Sequence, residues 1–171
     1  MKLSVLLTFI ILTSCFQSKT QTENTETIVS NYYFIRHAEK DESDASNKNP
    51  HLTTKGLEHA ENWSKILSNE SFDLVYSTDY HRTRETANPI AYKNGIKISI
   101  YNPSDIHYDS FLKKTKGKKV LVVGHSNTTP VFVNNLIRTK KYEDIDHDNY
   151  GNLYIVTIIN GKASSQLLNF N

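Results

Sequence analysis

The chain has 171 residues, a usual length for one domain and enough to bury a core without disulfide bonds. Its 20 basic and 18 acidic residues give a net charge of +2, so the charge gives no reason to expect nucleic-acid binding. The single cysteine excludes an intrachain disulfide.

The first residues predict an export signal rather than a part of the fold. Lys2 precedes an apolar run over 3–12, which has the length of a signal peptide's apolar region and is too short to span a bilayer. Residues 12–15 (LTSC) resemble the bacterial lipobox, in which the cysteine is acylated. We therefore expect a signal peptide over 1–14 and an exported chain, lipid-anchored through Cys15 to a bacterial membrane and facing the periplasm. The alternative is a plain secretory signal with a chance cysteine.

A polar stretch follows, and the folded domain comes after it. Residues 15–27 are mostly polar and predict a flexible tether, so we expect the domain to cover 28–171. Aromatic and β-branched residues over 28–35 predict a buried strand. A helix is predicted to open at 53–56, with one apolar face made of Leu57, Ala60, Ser64 and Leu67.

The middle of the domain continues this alternation of strands and helices. Residues 72–76 predict a short strand, and 80–92 predict a helix that Pro89 should end or kink. A strand is predicted over 96–101. Ser104 is the predicted N-cap of the next helix, which covers 104–116.

The last part of the domain holds the clearest strand and a hairpin. Residues 119–123 (KVLVV) predict a buried strand, and 127–138 predict a helix, followed by an acidic loop over 142–152. Two strands, over 153–159 and 163–170, are joined by Asn160-Gly161, which is a strong signal for a two-residue hairpin turn. Together these elements predict an α/β fold, a three-layer α/β/α sandwich with a mostly parallel mixed sheet.

Three polar clusters follow predicted strands directly. They are Arg36-His37, residues 77–84 and residues 124–126, the last of which contains His125. Because ligands of such sheets bind beyond the carboxyl ends of the strands, we expect all three clusters at one edge. Guanidinium groups pair bidentately with phosphate, and an imidazole can attack phosphorus to form a covalent intermediate. The clusters therefore predict a site for phosphoryl transfer.

Four segments that contain these clusters resemble the motifs of the histidine phosphatase superfamily, the phosphoglycerate mutase-like proteins. Residues 33–39 (YFIRHAE) resemble its strand followed by RHG or RHA-E, and 52–60 resemble its LT-x-x-G-x-x-x-A segment. Residues 76–87 resemble S-S-D-x-x-R-A-x-Q-T-A, and 122–126 resemble the segment of the second histidine. The four motifs occur in the family's order, so the resemblance covers most of the first three quarters of the chain.

The resemblance implies a role for each matching residue. It makes His37 the nucleophile that becomes phosphorylated, and it makes Arg36, Arg82 and His125 the groups that bind the phosphate and stabilise the transition state. Many relatives also use a carboxylate as general acid, for which Asp105 is the candidate and Asp109 a weaker one, and some small relatives lack this acid. Asp105 could equally be a helix N-terminal charge beside the predicted cap.

Two nearby residues have open or lesser roles. Glu39 either orients neighbours and lines the pocket or is simply solvated, and Arg84 is predicted to be a helix-surface or ion-pair residue.

The implied function is that of a metal-independent phosphatase without a cofactor, acting on a phosphorylated small molecule or a phosphoprotein. The alternatives are a non-catalytic lipoprotein that binds a phosphorylated ligand and, more weakly, a phosphomutase. Residues 124–128 nearly match the nucleophile elbow of esterases, but Thr128 stands where glycine is required. No metal is predicted, because the remaining histidines lack metal-ligand spacing and are each predicted to be surface residues: His51, His59, His81, His107 and His147.

Overall fold

A computed structural model describes residues 26–170, which form a six-stranded mixed sheet with four helices. The helices are α1 (Thr54–Ile66), α2 (His81–Lys93), α3 (Tyr108–Lys114) and α4 (Thr128–Ile137). The strands are β1 (Val29–Arg36), β2 (Leu74–Ser77), β3 (Ile98–Ile100), β4 (Lys119–Gly124), β5 (Asn152–Ile159) and β6 (Lys162–Asn169).

The strand order places the polar clusters side by side. The order is β3-β2-β4-β1-β5-β6. The first four strands are parallel, β5 runs antiparallel to β1, and β6 runs antiparallel to β5. Arg36, the last residue of β1, pairs in register with Gly124, the last residue of β4. Ser77 at the end of β2 pairs with Val123. The segments that follow these three strands therefore begin at one edge of the sheet, as predicted.

Successive side chains of the buried strand β1 point to opposite faces of the sheet, and each face has its own part of the core. Tyr33 and Ile35 pack with side chains of α1 and α2, whereas Tyr32 and Phe34 pack with side chains of α3 and α4. This period of two is what a strand covered on both faces requires. The three-layer α/β/α sandwich with a mixed, mostly parallel sheet is confirmed.

The buried face of helix α1 differs from the predicted one, and a glycine lets the helix pack closely against the chain before it. Gly56 lies so near the chain before the helix that an added Cβ would stand 2.2 Å from the carbonyl oxygen of Glu39. The buried face is Gly56, Ala60 and Trp63, whereas Leu57 is 49% exposed, so its predicted place in the core was wrong. Thr53 caps the helix by accepting a hydrogen bond from the Gly56 N–H at 3.0 Å.

Two other helix predictions are decided at their ends. Of the two effects expected of Pro89, an end to α2 does not occur, because the helix runs on to Lys93 and Ile90 and Ala91 beyond the proline pack into the core. The helix predicted over 104–116 begins only at Tyr108, so Ser104 is not its N-cap. The Ser104 N–H instead bonds to the Asn102 side chain at 3.0 Å, which holds this segment in a turn.

The C-terminal hairpin has the predicted turn. Asn160 and Gly161 both have positive φ, at 48° and 84°, as the tight two-residue turn between β5 and β6 requires. No helix among residues 26–170 is long and apolar enough to cross a membrane. The predicted signal peptide, Cys15 and most of the predicted tether lie outside the described residues.

Candidate active site

The register of β1 and β4 brings the two histidines of the predicted site together. His37 follows β1 directly, and its N–H donates to the Gly124 carbonyl oxygen at 2.9 Å. His125 follows β4 directly. The two imidazole rings lie edge to face, with centroids 5.4 Å apart.

His37 is held in one tautomer. Its Nδ1 lies 2.7 Å from the carbonyl oxygen of Ala38, and because a carbonyl can only accept, Nδ1 carries the proton. The Nε2 atom of the neutral ring therefore keeps a free lone pair. The residue is 3% exposed, and this burial lowers the pKa of His37 to about 3 against the opposing effect of the Ala38 bond. The positive charge of Arg82 and Arg36 lowers the pKa further.

His125 is fixed by a chain of threonine hydroxyl groups. Its Nε2 lies 2.9 Å from the Thr78 hydroxyl, which donates to the Thr83 hydroxyl at 3.0 Å. Thr83 is buried at the start of α2, so this chain links the second histidine to that helix. Burial, followed by the charge of Arg82 and Arg36, lowers the pKa of His125 to about 4. Both histidines are therefore neutral at pH 7.

Arg36 is anchored by the loop before β5. Its Nη1 lies within hydrogen-bond distance, at 2.8–3.0 Å, of the carbonyl oxygens of Asp146, His147 and Asn149. Its guanidinium carbon lies 4.1 Å from the centroid of the Tyr150 ring. The Nε atom is buried without a hydrogen-bond partner. This arrangement holds the guanidinium through Nη1 and leaves the Nε–H free.

Arg82 lies on the first turn of α2 with even more unused hydrogen-bonding capacity. Its Nε and Nη1 atoms are both buried without a partner, and its guanidinium carbon lies 4.3 Å from the centroid of the Tyr80 ring. The Thr86 hydroxyl, which donates to the Arg82 carbonyl oxygen at 2.7 Å, also accepts from the Ala38 N–H at 2.9 Å. This bridge fixes the helix that carries Arg82 against the segment that carries the candidate nucleophile.

The four predicted residues thus form a positively charged cluster with unused donors. Buried N–H groups are nearly always paired in proteins, so three unpaired guanidinium nitrogens at one place are typical of a site built for an anion. A phosphate group has the charge and the number of acceptor oxygens to satisfy them. In the described part of the chain, no carboxylate is hydrogen-bonded to Arg36, Arg82, His37 or His125.

Asp105 is the predicted site residue that the structure does not bring into contact with this cluster. It lies in the turn between β3 and α3, and its side chain is 80% exposed. Its carboxylate is 4.0 Å from the Nε2 of His107.

Arg84 and Glu39 also point to other partners. Arg84 is paired with Asp79 at 2.9 Å, in keeping with the predicted ion pair. Glu39 contacts Lys55 and His59 of α1 at 3.2 and 3.0 Å, so it orients that helix. His59 is only 16% exposed there and is not the surface residue that was predicted.

Two tyrosines that the sequence did not single out flank the cluster. Tyr80 lies edge to face with His125 at 5.1 Å, and Tyr150 lies 6.3 Å from His37 between ring centroids. Each also stacks with one of the two arginines. Tyr80 stands inside the third family-like segment, which was a usable signal. Tyr150 lies within the predicted acidic loop over 142–152, and no motif in that loop singles it out.

A cavity of about 730 Å³ lies away from these residues. Ile28 and Ser30 line it at the start of β1, together with Leu112 and Ile137. His37 follows the other end of β1, so the cavity and the histidine cluster are at opposite edges of the sheet. Lys113, Lys116 and Arg138 also line the cavity, but neither histidine of the predicted site does, so the candidate site is the cluster at the other edge. Among residues 26–170, His51, His81 and Glu85 form a group of side chains that could hold a metal ion.

The fold is shared with solved structures of phosphatases and mutases. Phosphoglycerate mutase from Bacillus anthracis str. Sterne superposes with a TM-score of 0.64 and 16% identity, over 84% of this chain and 94% of that one. A candidate phosphohistidine phosphatase, SixA, from Agrobacterium tumefaciens gives 0.62 and 17%, over 83% and 99%. The alpha-ribazole phosphatase of Shigella flexneri gives 0.62 and 16%, over 82% and 96%. At these identities the likeness establishes the phosphoglycerate mutase-like fold.

A match to a family model narrows the class of protein. Residues 32–102 match the model of the histidine phosphatase superfamily (branch 1), and this range contains Arg36, His37 and Arg82. No curated protein matches the chain. The family match, with phosphatases among the proteins of the same fold, supports a phosphatase enzyme.

Proposed function

We propose that this protein is a metal-independent phosphatase that hydrolyses phosphomonoesters or phosphoramidates through a phosphohistidine on His37. The observation that carries the proposal is a buried, neutral imidazole with its Nε2 lone pair free, beside guanidinium nitrogens that have no partner. An unprotonated nitrogen is what attack on phosphorus requires, and unpaired cationic donors are what the transferred phosphoryl group requires.

In the first step, the Nε2 lone pair of His37 forms a bond to phosphorus. The bond from phosphorus to the leaving oxygen or nitrogen breaks, and the leaving group keeps the electron pair and then takes up a proton. Arg36 and Arg82 stabilise the negative charge on the equatorial oxygens, as preorganised donors at developing charge do. His125 can donate as well once the charge of the bound phosphoryl group favours its protonated form. The Nδ1 proton stays on the bond to the Ala38 carbonyl, so the phosphorylated ring is cationic and a good leaving group for the second step.

In the second step, water attacks the phosphohistidine. The bond between phosphorus and Nε2 breaks, and its electron pair returns to the imidazole, which becomes neutral again. The water supplies the oxygen and both protons of the released phosphate. Burial favours this return because it disfavours the charged ring. No step calls on a metal ion or an organic cofactor.

Which substrates are favoured depends on whether a side chain can protonate the leaving group. Asp105 is the proposed donor from sequence, and it would have to reach the cluster from an exposed turn. Leaving groups that depart without a strong proton donor are therefore favoured, such as the imidazole of phosphohistidine or an aryl oxide. SixA, which shares the fold, is described as a candidate phosphohistidine phosphatase. We propose the same class of substrate for this chain, on a phosphoprotein or a small molecule.

The place of action follows from the N-terminal sequence. We propose that a lipid on Cys15 anchors the protein to the periplasmic side of a bacterial membrane and that the polar residues over 15–27 tether the domain. The wild-type protein should partition into detergent, and a Cys15→Ser variant should partition into water. Equal partition of the two proteins into water would contradict the lipid anchor and leave the proposed chemistry untouched.

The activity is tested by phosphate release from p-nitrophenyl phosphate in the presence of EDTA. We expect turnover by the wild-type protein and none by His37→Ala, with Arg84→Ala as the matched control that keeps activity because Arg84 pairs with Asp79 on the surface. Phosphate binding without turnover in the wild-type protein would instead favour a non-catalytic binder. Turnover that EDTA abolishes while circular dichroism shows the protein still folded would refute a metal-independent mechanism.

A further inference from the structure

A second group of chemically suited side chains lies where the loop before α1 meets the start of α2. His81 and Glu85 are the first and fifth residues of α2, a spacing that places both on one face of the helix. His51 comes from the loop. One donor atom from each of the three residues lies within 4.8 Å of the other two.

Contacts within the group already orient its donors. The Nδ1 atom of His51 contacts the Oε1 atom of Glu85, and the Leu52 N–H donates to the other carboxylate oxygen at 2.8 Å. The rings of His51 and His81 are stacked, with centroids 4.0 Å apart and 22° between their planes. A carboxylate held by a backbone N–H is the kind of supporting contact that fixes metal ligands in known sites.

We propose that His51, His81 and Glu85 bind a divalent transition-metal ion of the zinc class. Two imidazoles and one carboxylate suit zinc, copper or nickel better than magnesium or calcium, which prefer all-oxygen sites. Tetrahedral zinc holds its ligand atoms about 3.3 Å apart, so the most widely spaced donors need to close by about 1.5 Å at most. The contact between His51 and Glu85 needs to open to admit the ion. His51 makes this movement easily because its side chain is 64% exposed. Water completes the coordination.

One cationic neighbour opposes the ion and is partly neutralised. The Nη2 atom of Arg84 lies 3.5 Å from the Nδ1 atom of His81. Its guanidinium is paired through Nη1 with the carboxylate of Asp79 at 2.9 Å, which offsets its charge. The ion therefore approaches His81 from the side that faces His51 and Glu85.

The consequence of metal binding is a clamp between the loop and the helix. The Asn49 side chain already accepts a hydrogen bond from the His81 N–H at 2.8 Å, so the loop touches the first residue of α2. The next residue is Arg82. A metal ion shared by His51, His81 and Glu85 would fix the loop to the helix that carries this arginine. The clamp acts on stability and takes no part in the chemistry on His37, so it goes beyond the proposed function.

The test is zinc binding to the EDTA-stripped protein, measured by competition with a chromophoric chelator. We expect one zinc ion per chain, and we expect binding to weaken at least tenfold in His51→Ala and in His81→Ala. His107→Ala is the matched control, because that histidine is 86% exposed and outside the group, and it should bind zinc as the wild type does. Zinc should also raise the Tm of the wild-type protein but not of His51→Ala.

Two results would overturn the proposal. One is the absence of zinc binding to the wild-type protein, or equal binding by the wild type and both variants. The other is zinc binding that His37→Ala abolishes while His51→Ala keeps it, since the ion would then lie between the two histidines of the active site. Because His51 is exposed, loss of fold does not confuse its result, and circular dichroism of each variant checks this.

Discussion

Arg82 is predicted to lower the stability of the free protein while it supports activity. Two of its guanidinium nitrogens are buried without a hydrogen-bond partner. Each buried, unpaired donor costs about 1–3 kcal/mol of folding free energy. Stacking with Tyr80 returns about 0.5–2 kcal/mol. Two unpaired donors less the stacking leave a net cost of roughly 0–5.5 kcal/mol, so Arg82→Met, which keeps the aliphatic stem, is expected to raise the free energy of unfolding by about 3 kcal/mol.

The same substitution should remove most of the activity. Arg82→Met deletes two charge-assisted hydrogen bonds to the transferred phosphoryl group, each worth about 1.5–3 kcal/mol. Since about 1.4 kcal/mol corresponds to a factor of ten in rate, kcat/KM should fall by at least about 100-fold.

The assays are urea unfolding without phosphate and steady-state kinetics on p-nitrophenyl phosphate. Arg84→Met is the matched control on the same helix, because Arg84 is paired with Asp79 at the surface and should change stability by less than about 1 kcal/mol. Activity of this control should stay near that of the wild type. An Arg82→Met protein that is clearly less stable than the wild type, or that retains full activity, would refute the proposal that the unpaired donors of Arg82 bind the phosphoryl group.

Three further predictions concern other residues. Gly56→Ala should lower the free energy of unfolding by about 1–3 kcal/mol in urea titrations, because the new Cβ would stand 2.2 Å from the Glu39 carbonyl oxygen; an unchanged midpoint would contradict this packing. The folded pKa of His37, about 3, is below its ordinary 6.5, so the unfolded chain alone takes up this proton and stability falls as the pH falls from about 6.5 to 3. His37→Gln should remove up to about 1.4 kcal/mol per pH unit from that slope, and equal slopes would argue against a buried neutral imidazole. Asp105→Asn should change kcat on an alkyl phosphate, whose leaving group needs a proton, by less than about threefold, because the carboxylate is 80% exposed; a loss above about 100-fold would make Asp105 the general acid.

The sequence was enough to predict which edge of the sheet holds the candidate site and which histidines lie there. The reason is that polar residues stand at the ends of the predicted strands. Arg36 ends one buried strand, and His37 and His125 directly follow buried strands. Parallel strands bring such positions to one edge. Arg82 required the family-like motif, since a second arginine two residues later is equally polar. The pairing of Arg84 with Asp79 separates the two in the structure.

Features that depend on loop paths were not readable. The contacts of Arg36 with three backbone carbonyls and with Tyr150 come from the loop before β5, whose course no periodicity describes. The start of α3 was placed too early because Asn102 forms a local turn that competes with the helix. His51 and His81 are 30 residues apart in the sequence, and they meet only because the loop before α1 folds back onto α2.

The central claim is that His37 carries the phosphoryl group during turnover. The most direct measurement is mass spectrometry of the protein mixed briefly with p-nitrophenyl phosphate and quenched in alkali, which preserves phosphohistidine. The account predicts one phosphoryl group, located on His37 in the wild-type protein and missing in His37→Ala. Turnover by the wild type with no phosphate on His37, or a phosphoryl group that persists on another residue of His37→Ala, would contradict it.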